Sequence, residues 1–157
     1  DLFCGVGGLA LQAAKQTGWA LGVETLAGAV TRARDAAHKN GITAEFMSGQ
    51  VGYVMPELRK RHPNLHPVIA INPARKGLDA DVIEEILGWE PRKIAYVSCG
   101  PAALARDLAA FRAGGMQIGD IEMFDMFPNT VHSECLVTLT PSKPVAERRA
   151  PKRKLVR

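Results

Sequence analysis

The chain has little to stack with and little to cross-link with. Aromatic residues make up 6% of its 157 positions, and cysteine occurs three times, as Cys4, Cys99 and Cys135. An odd number at wide, unpatterned spacing fits neither a disulfide framework nor a zinc site, so no metal is expected and a reducing compartment is the natural setting. No apolar run reaches the roughly 18 residues of a membrane-spanning helix, and no charged start leads into an apolar signal segment. The expectation is a soluble, cytoplasmic protein that acts away from membranes as a monomer. Internal repeats are missing, and so is an initiator Met. Asp1-Leu2-Phe3 reads as the end of an apolar strand without its beginning, so an N-terminal part of the parent chain is expected to be absent.

What is present suffices for one core. Hydrophobic residues make up 46% of the chain, which is the length of an ordinary single domain. The formal charge of +4 is unevenly spread. Residues 143–157 hold seven Lys or Arg and one Glu, a net +6 that leaves −2 for the rest. The expected division is therefore a folded domain over 1–142 and a basic, disordered tail over 143–157. Such a tail can follow a phosphate backbone or simply stay solvated.

Short apolar runs alternate with amphipathic stretches, which is an α/β rhythm. "WALGVE" (19–24), "AEFM" (44–47), "PVIAIN" (67–72) and "KIAYVS" (93–98) read as buried strands. Helices are expected over "LALQAAKQ", over 26–40 with Gly41 as its stop, from Asp79 and Asp81 onward, and over 102–113. "MQIGDIEMF" (116–124) and "ECLVTL" (134–139), joined through "DMFPNT", predict a closing antiparallel hairpin.

Chemistry-bearing residues collect at strand ends. Cys4-Gly5-Val6-Gly7-Gly8 is a glycine-rich turn opening onto a helix, where the backbone can approach a ligand closely. Glu24 follows Gly5 by 19 positions, at the end of the next strand, where a carboxylate can accept both hydroxyls of a ribose. Together they suit an adenosine-containing cofactor, either a dinucleotide or S-adenosylmethionine. Asn72, held by Pro73, and Cys99, ahead of Pro101, also fall at carboxyl ends of strands. One edge means one site. From the residues alone Cys99 is either a core thiol or a nucleophile.

The segments "DLFCGVGG", "GVE", "INPARKGLD", "YVSCGPAALARDL" and "DMFPNTVHSE" resemble, in this order and spacing, the bacterial RNA uracil-C5 methyltransferases, which make 5-methyluridine. The resemblance covers residues 1 to about 140 and implies a doubly wound, mostly parallel α/β sheet of the class I S-adenosylmethionine-dependent methyltransferase type, closed by an antiparallel hairpin. It implies that Cys99 attacks carbon 6 of a uridine, that Glu134 removes the proton from carbon 5, and that Phe3, Gly5, Gly7, Glu24 and Asn72 bind S-adenosylmethionine. The implied partner is RNA, ribosomal rather than transfer. Three positions depart from the family pattern: Gly100 in place of the asparagine that usually follows the cysteine, Asn129 in place of a common histidine, and Ala74 in place of a second proline.

The chemistry accounts for such a residue set. Carbon 5 of uracil is a poor nucleophile until a thiolate adds to carbon 6 and makes the ring an enolate. A position ahead of a helix N-terminus favours the thiolate form. The target base must also leave its stack, and Phe124 or Phe127 could receive it, although core packing is the expected role of one of them. Other readings stay open at this point: a small-molecule methyltransferase on the same fold, a nicotinamide-dependent oxidoreductase, or a non-catalytic RNA-binding module.

Overall fold

A computed structural model describes residues 1–130 and 133–143. The elements run α1 (Gly8–Thr17), β1 (Ala20–Glu24), α2 (Ala27–Lys39), β2 (Ala44–Ser48), α3 (Val51–Arg61), β3 (Val68–Ile71), α4 (Ala80–Gly88), β4 (Lys93–Ser98), α5 (Pro101–Ala113), β5 (Met116–Phe124) and β6 (Glu134–Pro141). All the expected strands and helices are present. One helix escapes the sequence pattern: α3 carries Pro56 in its interior. Proline removes a helix hydrogen bond and crowds the preceding turn, but Val51, Val54, Met55 and Leu58 of α3 are buried. Tertiary packing outweighs the local cost.

β1 pairs with β2 and β3 with β4, all in parallel. Leu2 joins the two pairs, forming parallel bridges to both Val23 and Ile71. Its amide donates to Ala70 O at 2.9 Å, and the amide of Cys4 donates to Val23 O at 3.0 Å. Asp1–Phe3 thus takes the central position of the sheet, as expected for the end of a strand. On the amino side of Asp1, an apolar groove of about 370 Å³ continues this line between Trp19–Leu21 and Pro67–Ala70. It lies at the opposite end of the sheet from Cys99. β6 then runs antiparallel between β4 and β5, so the spatial order is β2, β1, Leu2, β3, β4, β6, β5.

Two layers of helix cover the sheet. Ala10 of α1 and Val30, Ala33 and Ala37 of α2 form one apolar cluster with Phe46 and Cys4. The larger cluster lies on the other face, where α3, α4 and α5 bury Leu58, Ile86 and Phe111 against Ile71, Ile94, Tyr96, Val137 and Leu139. Helices on both faces of a largely parallel sheet give the doubly wound architecture that the strand pattern implies. Among the described residues, no helix is long and apolar enough to cross a membrane.

Candidate active site

Parallel strands deliver their carboxyl ends to one edge, and ligands of open α/β sheets sit there. Along this edge lie the turn after Leu2, Glu24 at the end of β1, Asn72 just past β3 and Cys99 just past β4. The glycine turn needs its glycines for two different reasons. Gly5 has φ 54° and nothing within 4 Å of the position a Cβ would take, so it leaves open space for a ligand. Gly7, with φ 84°, is buried, and a Cβ there would meet the Phe46 ring at 2.7 Å and Ala33 at 3.1 Å. The absence of a side chain at Gly7 lets the turn pack on β2 and α2. Phe3 also has a positive φ of 63°. That is a strained setting for an aromatic residue, and it leaves Phe3 half-buried at the mouth of the turn.

Glu24 ties the turn to β1. Its Oε2 accepts from the amide of Gly5 at 3.0 Å, and its Oε1 accepts from the amide of Leu26 and from Thr25 Oγ1, each at 3.0 Å. Burial raises the Glu24 carboxyl, but the hydrogen bonds from Leu26, Gly5 and Thr25 together outweigh it and hold the group below its ordinary value of 4.5. It stays ionised through mildly acidic conditions. An anionic, pre-oriented acceptor beside an unobstructed glycine backbone is the donor and acceptor set that a ribose diol requires. The residues present fit an adenosine-containing cofactor.

At the other end of the edge, sheet register does what sequence distance cannot. β4 and β6 pair antiparallel, with Ser98 opposite Cys135. Cys99 follows Ser98 at the end of β4, and Glu134 precedes Cys135 at the start of β6. Residues 35 apart in the chain thereby share one edge. Glu134 is also paired with Phe124 of β5. A cavity of about 350 Å³ opens here, lined by Asn72, Val97, Phe124, Phe127, Glu134 and Cys135 among others, while Cys99 is not among its lining residues. Phe124 and Phe127 are 42% and 52% exposed, so neither takes the core role expected of one of them. β5 is the edge strand and is exposed from Gly119 to Phe124, and both rings line the cavity. Cys4 and Cys135, in contrast, are buried.

Ser98 is a contributor that the sequence did not mark. It is 4% exposed, and its Oγ accepts from the amide of Gly100 at 3.2 Å, which closes a tight turn around Cys99. A serine at a strand end three residues before a helix start was the available signal. Gly100 itself is crowded: a Cβ there would come within 2.5 Å of the carbonyl oxygen of Arg75. The loop after β3 occupies the space that a side chain at this position would need. Gly100→Ala is therefore expected to destabilise the fold by about 1–3 kcal/mol through overpacking against backbone, read as a lower midpoint of thermal unfolding. Arg106 is held by protein partners rather than presented to phosphate, since its Nη2 donates to Lys76 O at 2.8 Å and to Asp107 Oδ1 at 2.7 Å. His132 and the basic segment from 144 onward lie outside the described residues.

Residues 61–142 match the family described as tRNA (uracil-5-)-methyltransferase. The chain belongs to this family. The match holds β3, β4, α5 and both strands of the closing hairpin, and so Asn72, Cys99 and Glu134. An RNA methyltransferase of Oceanobacillus iheyensis is 39% identical over 142 residues, covering 89% of this chain and 30% of that protein. One of Gloeobacter violaceus is 39% identical over 140 residues, covering 88% of the chain and 29% of that protein. The chain thus spans a little under a third of the length of these curated relatives. Among solved structures, the Pyrococcus abyssi tRNA (uracil-54, C5)-methyltransferase in complex with S-adenosyl-L-homocysteine superposes with a TM-score of 0.76 at 28% identity, over 89% of this chain and 33% of that one. The Synechocystis magnesium protoporphyrin IX methyltransferase with bound S-adenosylmethionine superposes at 0.63 and 15% identity, over 89% of this chain and 68% of that one, a likeness of fold alone. The fold is that of the class I methyltransferases.

Proposed function

We propose that this family member methylates carbon 5 of a uridine in RNA, using S-adenosylmethionine and a covalent adduct through Cys99. The observation that supports this reading is the β4–β6 pairing, whose last pair, Ser98 and Cys135, is adjacent in sequence to Cys99 and Glu134. The family match and the open Gly5 and Glu24 turn on the same sheet edge support the choice of cofactor.

In this mechanism the Cys99 thiolate forms a bond from Sγ to carbon 6 of uracil. The electron pair of the 5,6 double bond moves toward the carbonyl at carbon 4, and carbon 5 becomes nucleophilic. When bound, S-adenosylmethionine supplies an electrophilic methyl group on a sulfonium. Glu24 and the Gly5 backbone would hold the nucleoside end of that cofactor, and Asn72 would serve its methionine end. Glu134 then takes the proton that carbon 5 carries, the ring electrons return to the 5,6 bond, and the bond to Cys99 breaks to release the thiolate. Phe124 and Phe127 offer apolar faces at the mouth for a base taken out of its stack. Neutral turn geometry around Cys99 comes from Ser98 and Gly100.

The test is incubation with S-adenosylmethionine and RNA containing 5-fluorouridine, ribosomal and transfer RNA side by side, followed by mass spectrometry of the protein. Fluorine at carbon 5 cannot be removed as a proton, so a covalent protein–RNA product carrying one added methyl group is expected. Methyl transfer with no trapped protein would overturn the covalent mechanism, and the RNA that traps would identify the substrate class.

A further inference from the structure

Asp107 is a carboxylate with no exposure at all, on a helix otherwise buried through Leu104, Leu108 and Phe111. Burying a carboxylate is costly unless its oxygens are fully used, and here they are. Oδ2 accepts from the amide of Leu78 at 2.8 Å and from Tyr96 Oη at 2.6 Å. Oδ1 accepts from Arg106 Nε at 3.0 Å and Nη2 at 2.7 Å. Arg106 Nη2 in turn donates to the carbonyls of Lys76 at 2.8 Å and Leu78 at 3.1 Å. Three of these bonds therefore end on the short loop 73–78, which follows Asn72. The loop is shaped for the contact: Gly77 has φ 76°, and a Cβ there would lie 2.4 Å from Asp107 Oδ2. From the same loop, the carbonyl of Arg75 presses on Gly100, next to Cys99.

We infer that Asp107, together with Arg106, is a positioning residue pair that clasps the loop after Asn72 onto the turn carrying Cys99, so that the two strand ends keep one spacing. The inference rests on the methyltransferase reading above and extends it to residues that touch neither base nor cofactor. A core contact between α5 and β4 needs no charge, since apolar residues of similar volume do that task at least as well. What a carboxylate adds is directional: it fixes a loop amide, a strand hydroxyl and a guanidinium that itself spans two loop carbonyls. The Arg106 side chain is 59% exposed, so its ion pair is partly screened and the geometry rather than the charge is what it contributes. Reacting groups misplaced by about 1 Å lose on the order of a hundredfold in rate. A loosened clasp should therefore act on the chemical step and spare the distant Glu24 pocket.

The experiment compares the unsubstituted full chain with Asp107→Asn and, as a milder change, Arg106→Lys, which keeps one cation but cannot donate to Asp107 Oδ1 from two nitrogens while reaching the loop carbonyls. Amide hydrogen exchange at Gly77 and Leu78 is followed by mass spectrometry, alongside S-adenosylhomocysteine affinity and the rate of 5-fluorouridine adduct formation. The expected result is exchange at these amides raised at least tenfold, an adduct rate lowered by about tenfold or more, and cofactor affinity within twofold of the unsubstituted chain. Unchanged exchange in both variants would overturn the clasp. Raised exchange or a lower melting temperature with an adduct rate within twofold would overturn the positioning role and leave Asp107 a structural anchor. Should Asp107→Asn fail to fold, Arg106→Lys decides by the same readings. Absence of any adduct from the unsubstituted chain is a failure of the proposed function instead, and the exchange comparison still judges the clasp.

Discussion

Cys99→Ser abolishes covalent capture of 5-fluorouridine RNA and lowers methyl transfer by on the order of 10⁴-fold or more, with S-adenosylmethionine affinity preserved. The size follows from the role. A serine hydroxyl has the shape to fill the site but is almost entirely unionised near neutrality, whereas a thiol supplies an appreciable thiolate fraction and a more polarisable nucleophile. Without an attack on carbon 6, carbon 5 never gains the electron density that the reaction needs. Cofactor affinity survives because the proposed ribose contact is made by Glu24 at the end of β1, which Leu2 and β3 separate from β4. The fold should also survive, since Cys99 is half-exposed and its turn is closed by Ser98 Oγ and the Gly100 amide, not by the thiol. Isotope-labelled methyl transfer and thermal melting check the two halves of this expectation. Retained methyl transfer in Cys99→Ser would return the chain to the small-molecule methyltransferase reading.

Glu134→Gln gives the complementary phenotype. Nucleophilic attack and methyl transfer precede the step that needs a base, so the variant is expected to bond to ordinary, unfluorinated uridine and remain bonded. Loss of a positioned general base costs about 10²–10⁴-fold in that step. The observable is therefore an accumulating, methylated protein–RNA complex that survives denaturing electrophoresis, with turnover lost. Glutamine is the informative replacement because it keeps the size and one acceptor oxygen where Glu134 begins β6 opposite Phe124. A Glu134→Gln variant that turns over at the unsubstituted rate would remove Glu134 from the mechanism and direct attention to another base near the cavity.

These two outcomes depend on a pairing that no local pattern contains. "KIAYVS" and "ECLVTL" could each be recognised as strands from their apolar, β-branched content. Neither segment states which residue of one faces which residue of the other. A slip of a single position would turn Glu134 to the opposite face of the sheet. Register is settled by the burial of Cys135, Val137 and Leu139 against Tyr96, Ile94 and α5, which is a property of the assembled core. The resemblance to a known family named both residues, and the strand pairing sets the chain ends that carry them on neighbouring strands.

Short-range features were legible. The turn at Gly5 and the carboxylate at Glu24 stand 19 residues apart, and the structure joins them by one hydrogen bond, because a strand, a tight turn and a helix occupy a nearly fixed length of chain. Helix ends at Asp79 and Gly41 were marked by residues whose backbone chemistry is local. Where packing overrules propensity, the sequence misled or was silent. Helix α3 forms around Pro56, and Phe124 and Phe127 lie exposed rather than in the core. The close packing of Gly7 on the Phe46 ring is likewise set by the assembled core.

By itself, then, the sequence determined the α/β alternation, the carboxyl-edge location of Gly5, Glu24, Asn72 and Cys99, and the family, since these depend on patterns within a few tens of residues. Tertiary structure alone decided that Cys99 and Glu134 share an edge, that Gly100 has no room for a side chain, and that Asp107 is wholly buried with its partners. The reason is the range of the interactions. Turn and helix preferences act between near neighbours, whereas register, close approach and desolvation are set by segments brought together only when the core closes.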